Sequence, residues 1–525
     1  MFDILIKKGV VVDGFRNKGE IKDIAIKEGK IVKIDRLKNE KAKIEINAGG
    51  LIVSPGFIEI NTLADRDFSL IYRPQAENYL LQGVTTVIGG GCGASLFPLI
   101  TGSLDLLYKW TDYKKININW QKAKDFFETL KNKGLAINFG GLISWANLRS
   151  DITNKEFRNL TKGEKEKLKF LIKKTLNEGA LGVSFGLGYE DEKVVGTEEI
   201  LEIAEIVKQF KGYISFNLRD ETDGFLTSVY EILEAAKKGD ISTEIYQLRV
   251  LGKENFKDFK EGLKLIEEIN KEKELVNFDI SPYEVIRRPL TTFLPDWAAI
   301  GGWSIFLKNI REKVIYQKLI EDLKKKRNLL NDLTISESKN RPIFVGKTIK
   351  ELAQGFNLSP EETMIKVLAI NDGFVSVFSK SISLENLELA IKSPYSFISA
   401  NSGFYNLVNN NRPSSIIHPE SFGAFIKFLK DFVIDKQFYS LEEGIYKLTG
   451  KVAQKIGLKN RGAIKTNYWA DLVIFSPQKL NSLASFFNPH LPPSGIEAVI
   501  VNGKIAYRKG IFENTNLGQI IKRSF

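Results

Sequence analysis

The sequence predicts an α/β protein, in which a (β/α)8 barrel is accompanied by a small β-sandwich formed from both termini. Three observations support this fold class. The chain has 525 residues, which is enough for a barrel of about 250 residues and a second, smaller unit. Short alternating strands occur at both ends of the chain, and strands alternate with helical segments between them.

The two ends of the chain are typical of antiparallel strands. Residues 3–7, 23–26 and 30–34 are short, largely apolar runs, and glycine turns separate them. Near the C-terminus, Asn502-Gly503 lies between two apolar runs, which is the strongest short hairpin signal. We therefore expect residues 1–54 and 462–525 to meet in one sandwich.

The middle of the chain, residues 55–412, contains about eight candidate strands with helices between most of them. A capping box at Thr161-x-x-Glu164 opens one helix, and similar signals occur at Ser359 and Ser440. A long insertion at about 285–345 is expected to be either a lid or a separate subdomain, and residues 413–461 are expected to be a helical return segment. The candidate strands are Phe57–Ile60, Val84–Ile88, Ala136–Phe139, Leu181–Ser184, Tyr213–Phe216, Glu244–Gln247, Val276–Asp279 and Ser396–Ala400.

Composition and charge narrow the functional classes. The chain has one cysteine, so it can form no intrachain disulfide, and it starts directly in a strand pattern instead of a signal peptide. No apolar run reaches the roughly 18 residues of a membrane helix. The net charge is +12, but the lysines mostly alternate with glutamates, which is typical of solvated helix faces. We therefore expect a cytoplasmic protein with neither a nucleic-acid nor a membrane partner.

The histidine content limits the available chemistry. Histidine is the usual acid or base near neutral pH and the commonest metal ligand. This chain has only two histidines, His418 and His490.

Several short motifs follow one another along the predicted barrel and the C-terminal segment. Each motif alone has moderate specificity, whereas their order and spacing together are specific. They are Ser54-Pro55-Gly56-Phe57, Gly89-Gly90-Gly91-Cys92, Arg219-Asp220-Glu221, Ser281-Pro282-Tyr283, Leu294-Pro295-Asp296-Trp297, Tyr468-Trp469-Ala470-Asp471, Phe487-Asn488-Pro489-His490 and residues 495–503.

Over essentially its whole length, the chain resembles the amidohydrolase superfamily and, within it, the N-acyl-D-amino-acid deacylase (D-aminoacylase) family. The resemblance implies an amidohydrolase-type barrel with one or two zinc ions and a β-sandwich from both termini. It also implies hydrolysis of an acyl–nitrogen bond, with a metal-generated hydroxide and an aspartate base after strand eight.

The positions at which the family places its site residues are changed in this chain. Leu63 has no lone pair for a metal, and Asn401 cannot act as a carboxylate base. Only Cys92 is retained of the expected ligands, whereas a zinc site needs three or four at short range. No cofactor is therefore expected, although the family would use zinc. The residues predicted to line this degenerate site are Asn61, Leu63, Cys92, Trp145, Asn217, Gln247 and Asn401.

Other residues near the strand ends have two interpretations each. Cys92 could be a nucleophile, but a buried inert thiol is favoured because no motif positions a base beside it. Arg219, Asp220 and Glu221 either bind a carboxylate substrate or form a structural salt-bridge cluster. Tyr283 either lines the pocket or packs as an ordinary aromatic residue.

Three functions remain, in order of preference. The first is a pseudoenzyme that serves as a binding or scaffold protein. The second is a hydrolase of carbon–nitrogen bonds with a metal-free mechanism that uses Cys92, Arg219 and acidic neighbours. The third is an orthodox deacylase with an unrecognised metal site. A small molecule in the barrel mouth, a protein partner or a second copy of the chain are the candidate partners, because fold alone does not fix function.

Overall fold

The computed structural model of the protein describes residues 1–101, 104, 107, 118–154, 156, 158–189, 192–299, 302–407, 414–513 and 516–523. Its architecture confirms the predicted fold class. Strands from both ends of the chain share one sheet, and eight strands that alternate with helices follow between them in chain order.

The terminal sheet has nine strands. Strand β1 pairs antiparallel with β2 and parallel with β4 and β5, whereas the C-terminal β18 pairs antiparallel with β5. The predicted hairpin is confirmed, since Asn502 (φ 49°) and Gly503 (φ 75°) both adopt the positive φ of a type I′ turn. The strands of this sheet are β1 (Phe2–Val11), β2 (Glu20–Lys27), β3 (Lys30–Asp35), β4 (Ala42–Asn47), β5 (Ile52–Pro55), β18 (Leu472–Phe475), β19 (Ile496–Val501), β20 (Lys504–Arg508) and β21 (Ile511–Phe512).

The eight predicted central strands are all present. Their first residues differ from the prediction by at most two positions and their last residues by one or two, except that the third strand continues to Ser144. Their pairings are parallel and connect neighbours in chain order. The third strand is divided at Leu142 into two short pieces. The strands are β6 (Phe57–Glu59), β7 (Val84–Gly89), β8 (Asn138–Gly141) with β9 (Ile143–Ser144), β10 (Gly182–Gly186), β11 (Tyr213–Asn217), β12 (Thr243–Ile245), β13 (Val276–Ile280) and β17 (Ser396–Ile398).

The first and eighth strands of this series are linked through the side chain of Glu59. Its carboxyl group accepts hydrogen bonds from Ser399 Oγ (2.7 Å) and Ala400 N (2.6 Å). Just beyond the strand ends, Leu63 N donates to Ser402 O at 2.9 Å. These contacts bring the two ends of the strand series together, as a barrel requires.

Amphipathic helices cover the strands. The capping boxes predicted at Thr161, Ser359 and Ser440 are confirmed. No helix in the described ranges is both long and apolar enough to cross a membrane. The helices outside the insertion are α1 (Ser69–Tyr72), α2 (Glu77–Leu80), α3 (Ala123–Lys133), α4 (Trp145–Thr153), α5 (Lys162–Glu178), α6 (Thr197–Gln209), α7 (Phe225–Gly239), α8 (Asp258–Ile269), α15 (Leu384–Lys392), α16 (Glu420–Lys427), a π-helical stretch Phe428–Asp435, α17 (Leu441–Leu448) and α18 (Gly450–Ile456).

The insertion between β13 and β17 forms a small unit with its own apolar cluster. Its three strands pair antiparallel in the order β14-β16-β15. Because β16 ends at Lys380, the sheet of the insertion continues well past residue 345, the predicted end of the insertion. The predicted limits of the two terminal segments, the barrel and the helical return segment stay predictions. The elements of the insertion are β14 (Val285–Pro289), β15 (Thr334–Ser338), β16 (Val375–Lys380), α9 (Asp296–Ala299), α10 (Gly302–Asn309), α11 (Lys313–Lys324), α12 (Arg327–Asn331), α13 (Ile349–Phe356) and α14 (Pro360–Ile370).

Candidate ligand site at the barrel mouth

The alternation of side chains along the strands directs polar groups toward the inside of the barrel. In β11, the Phe216 ring stacks on Phe185 at 5.2 Å, whereas Ser215 on the opposite face donates to Glu244 in β12. Asn217 is the last residue of the strand and, two residues after Ser215, lies on the same face. The ends of the parallel strands therefore bring polar side chains together at one edge, where barrel enzymes place their sites.

Asn61, for which the resemblance implies a ligand position, is a hydrogen-bond donor between two carboxyl groups. Its Nδ2 donates to Glu244 Oε1 and to Asp279 Oδ1, both at 2.9 Å. Its backbone N–H donates to Glu59 Oε1 at 2.9 Å. The amide is thus used to connect the first strand with strands six and seven.

The two carboxyl groups below Asn61 are fully buried. Burial raises the pKa of Glu244 well above its usual range, and the neighbouring Asp279 raises it further. Burial also raises the pKa of Asp279. We conclude that the pair retains a proton at neutral pH, because two adjacent buried carboxylates cannot both ionise without a large cost.

A guanidinium and a phenol occupy the space above Asn61. Arg66 Nη2 donates to the Tyr246 hydroxyl at 3.0 Å, and this hydroxyl also bonds with Asn401 Oδ1. Both Arg66 and Tyr246 lie beside the Cys92 thiol and act to lower its pKa, although burial raises it overall. The cysteine and asparagine predicted to line the site are therefore brought together by two residues that the sequence analysis did not single out.

The glycine run before Cys92 allows close packing around this group. A Cβ at Gly91 would lie 2.9 Å from Asn61 Oδ1 and 3.1 Å from the Tyr246 ring. Gly90 has φ 79° and donates its N–H to Asp65 Oδ2 at 2.8 Å. The glycine run therefore forms a tight turn after the second strand, where the neighbouring residues leave no room for a side chain.

Leu63, Cys92 and Asn401 face a cavity of about 80 Å³, which we call the mouth cavity. It lies between the barrel and the strands β14 and β16 of the insertion. Side chains from both units contribute to its wall. Its lining comprises Leu63, Arg66, Asp67, Cys92, Tyr189, Tyr246, Arg249, Arg287, Arg288, Pro289, Ser376, Asn401, Ser402, Gly403, Tyr405, His418, Glu420 and Ser421.

Asn217 faces a second cavity of about 120 Å³, together with Arg219, Asp220 and Glu221. Arg219 forms a salt bridge with Glu231 at 2.7 Å. The Asp220 carboxylate accepts hydrogen bonds from the backbone and side chain of Thr222, both at 2.6 Å. These contacts give Arg219 and Asp220 structural partners at the end of the fifth strand.

Glu221 differs from its two neighbours because it pairs with two arginines of the mouth cavity. Its carboxylate lies 3.0 Å from Arg249 Nη2 and 2.7 Å from Arg288 Nη1. Gln247, at the family's sixth-strand ligand position, accepts a hydrogen bond through Oε1 from Arg249 Nη1 at 2.9 Å. Gln247 thus helps to hold Arg249 in place.

The predicted site residues Trp145 and Tyr283 line neither of the two cavities. Trp145 was expected to fill ligand space, but its indole Nε1 donates to Glu199 of α6 at 2.8 Å, and its ring packs on Phe185. The reason is that the Phe185 side of the strand faces the helices. Tyr283 packs edge-to-face on His418 at 5.2 Å and lies behind the cavity wall.

His418 lines the mouth cavity but is poorly suited to act as a base. Its Nδ1 accepts a hydrogen bond from the backbone N–H of Glu420 at 3.0 Å. Burial lowers the pKa of His418 to about 3. The imidazole is therefore neutral and serves to shape the cavity wall.

The residues of the mouth do not fit the zinc ions that the family resemblance implies. In the part of the chain that the structure describes, no three His, Cys, Asp or Glu side chains converge on a point that could hold a metal. The Arg66 guanidinium lies beside the Cys92 thiol. Its positive charge would repel a divalent cation at that place.

Sequence reasoning missed Arg66, Glu244 and Asp279, although a signal for them exists. Glu244 and Asp279 each stand within a short, otherwise uncharged strand, and Arg66 follows the first strand directly. Because burying an ionisable group is costly, charged residues within apolar strands indicate a functional or structural polar site.

The fold and this site define the class of protein to which the chain is similar. No family model matches the sequence. D-aminoacylase from Alcaligenes xylosoxydans xylosoxydans is 26% identical over 528 residues, which cover 100% of this chain and 98% of that protein. The resemblance to the D-aminoacylases of the amidohydrolase superfamily is thus confirmed over the whole chain.

Solved structures agree with the sequence comparison. A D-aminoacylase structure described as defining a novel subset of amidohydrolases matches with a TM-score of 0.83 and 25% identity, and covers 100% of both chains. N-acyl-D-glutamate deacylase from Bordetella bronchiseptica, complexed with zinc and a phosphonate inhibitor, matches with a TM-score of 0.82, 22% identity and 99% coverage of both chains. The chain therefore has the D-aminoacylase fold.

Proposed function

We propose that this protein is a non-catalytic relative of the D-aminoacylases, which binds a ligand at the barrel mouth and does not hydrolyse N-acyl-D-amino acids. The observation that carries the proposal is the direct bonding of the site residues to one another. Tyr246 is hydrogen-bonded to Arg66 and to Asn401 beside the Cys92 thiol, and the amide of Asn61 donates to two carboxyl groups.

The metal-free hydrolase is less well supported. A nucleophilic thiol needs a lowered pKa or an adjacent base. Burial raises the pKa of the Cys92 thiol above its usual value, even though Arg66 and Tyr246 act in the opposite direction. His418 is neutral and already bound at Nδ1.

The proposal is tested by measuring zinc and turnover on the same preparation of full-length protein. Elemental analysis should find far less than one zinc per chain. N-acetyl-D-glutamate and N-acetyl-D-methionine should remain intact with and without added zinc. A D-aminoacylase purified in parallel is the positive control for both measurements.

Each remaining function has a distinct outcome. About one tightly held zinc per chain, with turnover that a chelator abolishes, would establish the orthodox deacylase and overturn the proposal. Turnover that a chelator leaves unchanged and Cys92→Ala abolishes would establish the metal-free hydrolase instead.

A further inference from the structure

We infer that strand β4 (Ala42–Asn47) of the terminal sheet is a self-association surface. A second copy of the chain adds its own β4 beside it, antiparallel and related by a two-fold axis at Ile44, so that the two terminal sheets become one continuous sheet. This inference concerns the terminal sheet and not the barrel mouth, so it is independent of the proposed function.

The first reason is that β4 is an edge strand. It pairs parallel with β1. Phe2 N donates to Lys41 O at 3.1 Å and Ala48 N donates to Lys7 O at 2.8 Å, so the hydrogen bonds that flank β4 also lead to β1. Among the described residues, no strand pairs with the other side of β4. An edge of this kind presents unpaired backbone groups to another chain.

The second reason is the charge pattern of β4, which is self-complementary. Lys43 and Glu45 flank Ile44. In an antiparallel pair with Ile44 opposite its own copy, Lys43 lies directly opposite Glu45 of the second copy, and the two-fold axis repeats this pair on the other side. Opposite charges directly across two strands stabilise a sheet, whereas like charges destabilise it.

The same charges disfavour the neighbouring registers. Because cross-strand partners point to the same face of the sheet, the axis passes through a residue and moves in whole steps. An axis at Lys43 places two lysines opposite each other, and an axis at Glu45 places two glutamates opposite each other. The pattern therefore specifies the register at Ile44.

Ile44 supplies an apolar contact at the axis. It pairs across the sheet with Ile4 of β1. Ile4 and Ile46, which lies on the same face of β4, belong to the buried cluster of the terminal sheet. Ile44 itself is 38% exposed, so the apolar face of the sheet reaches an open edge. Contact between the two copies of Ile44 removes this surface from water.

The ion pairs beside β4 extend the charge pattern. Lys43 Nζ lies 2.8 Å from Asp3 Oδ1, and Glu45 Oε2 lies 3.1 Å from Lys7 Nζ. In the paired copies, Asp3 and Lys43 are followed across the axis by Glu45 and Lys7 of the second copy. The charges thus alternate in sign over four strands, as they do in a stabilising network.

The two ends of the main strand order are less suited to pairing. At one end, β21 has only two residues. At the other end, Ile31 of β3 is already bonded, since its N–H donates to Tyr468 O at 2.9 Å and its carbonyl accepts from Asn467 N at 2.8 Å. Strand β4 has six residues, which makes a small interface, so the dimer is weak and reversible.

The test is sedimentation velocity of the full chain from about 1 to about 200 μM, a range that brackets a weak dimer. The wild type should show a reversible equilibrium between monomer and dimer. Lys43→Glu and Glu45→Lys each replace two attractive cross-strand pairs with two repulsive ones. Each variant should therefore weaken association about tenfold or more.

Exchanging the charges tests the register itself. The double variant Lys43→Glu with Glu45→Lys restores opposite charges across the axis and should associate again. An equimolar mixture of the two single variants should form a heterodimer for the same reason. Because both side chains are exposed, at 63% and 46%, all variants should fold, which circular dichroism and thermal unfolding check.

A matched control separates this contact from a general effect of charge. Lys33→Glu changes the net charge by the same amount at another exposed ion pair of the same sheet, with Glu40, and should associate as the wild type does. The inference is overturned if the wild type stays monomeric over the whole range, or if Lys43→Glu has no larger effect than Lys33→Glu. Failure of both the double variant and the mixture to associate overturns it as well.

Discussion

Two buried polar clusters of this molecule differ in how completely their groups are bonded. The first, which we call the junction network, consists of Asn138, Arg461, Asp471, Asn502 and Gln519. It connects the terminal sheet to the third barrel strand. The second surrounds the mouth cavity at the carboxyl ends of the strands. Both are deeply buried, but within the described part of the chain only the second leaves several donors and acceptors without protein partners.

In the junction network, each charged group has several partners. The Asp471 carboxylate accepts hydrogen bonds from Asn502 N at 2.8 Å, from Asn138 Nδ2 at 3.1 Å, and from Arg461. Arg461 Nη2 also donates to Asn502 Oδ1 at 2.8 Å and Gln519 Oε1 at 2.7 Å. A network of this kind fixes the relative position of the elements it joins.

At the mouth, buried polar atoms lack hydrogen-bond partners among the described residues. They include Asn217 Oδ1, Gln247 Nε2 and Arg249 Nε. Since buried polar groups are normally bonded, such atoms indicate places where function outweighs stability. The difference teaches that the hydrogen bonds of the junction network are complete among the described residues, whereas those at the mouth are not.

The largest expected effect concerns the junction network. Asp471→Ala would leave the Arg461 guanidinium buried without its counter-charge. We expect a loss of about 3–5 kcal/mol in the free energy of unfolding, measured by urea denaturation. Arg158→Ala is the control, because it breaks exposed ion pairs with Glu156 and Glu164 and should cost less than about 1 kcal/mol. Equal losses in the two variants would contradict the role assigned to the network.

A smaller effect on the free energy of unfolding is expected from the titration of Glu59 inside the barrel. Burial raises the pKa of Glu59 from 4.5 to about 8. Between these values the folded state holds a proton that the unfolded state has lost, so stability falls as pH rises through this window. We expect a decrease on the order of 3 kcal/mol from about pH 5 to about pH 8, measured by unfolding at a series of pH values.

The Glu59→Gln variant sharpens this test. It removes the titrating group, so its stability should change less over the same pH range than that of the wild type. Glu156→Gln, at an exposed position, should retain the wild-type slope. A wild-type protein that gains stability from pH 5 to 8 would contradict the assignment of a protonated Glu59.

The smallest expected effect concerns Cys92. The chain has a single cysteine, so the reaction with Ellman's reagent reports on this thiol alone. Burial and the raised pKa should make labelling of the folded protein much slower than labelling in urea. Cys92→Ala should cost only about 1 kcal/mol of unfolding free energy. Labelling of the folded protein at the rate seen in urea would favour the reactive-thiol mechanism.

The sequence by itself determined the scaffold. Strand alternation, glycine turns and capping boxes are local signals, and they predicted the eight strands, the Asn502-Gly503 hairpin and the helix starts. The motif comparison also assigned Asn61, Leu63 and Asn401 to positions where the resemblance implies ligands and a base, and this assignment stays a prediction. It could not predict the orientation of Trp145, because the environment of this side chain depends on whether it faces the inside of the barrel or the surrounding helices.

Only the tertiary structure decided which side chains surround the predicted site residues. Asn61 bonds with Glu244 and Asp279, which lie 183 and 218 residues away in the chain, and Glu221 meets Arg288 across 67 residues. No local pattern encodes such pairings, because they arise when strand ends and the insertion converge on one edge of the barrel. The charge balance of the mouth depends on that convergence.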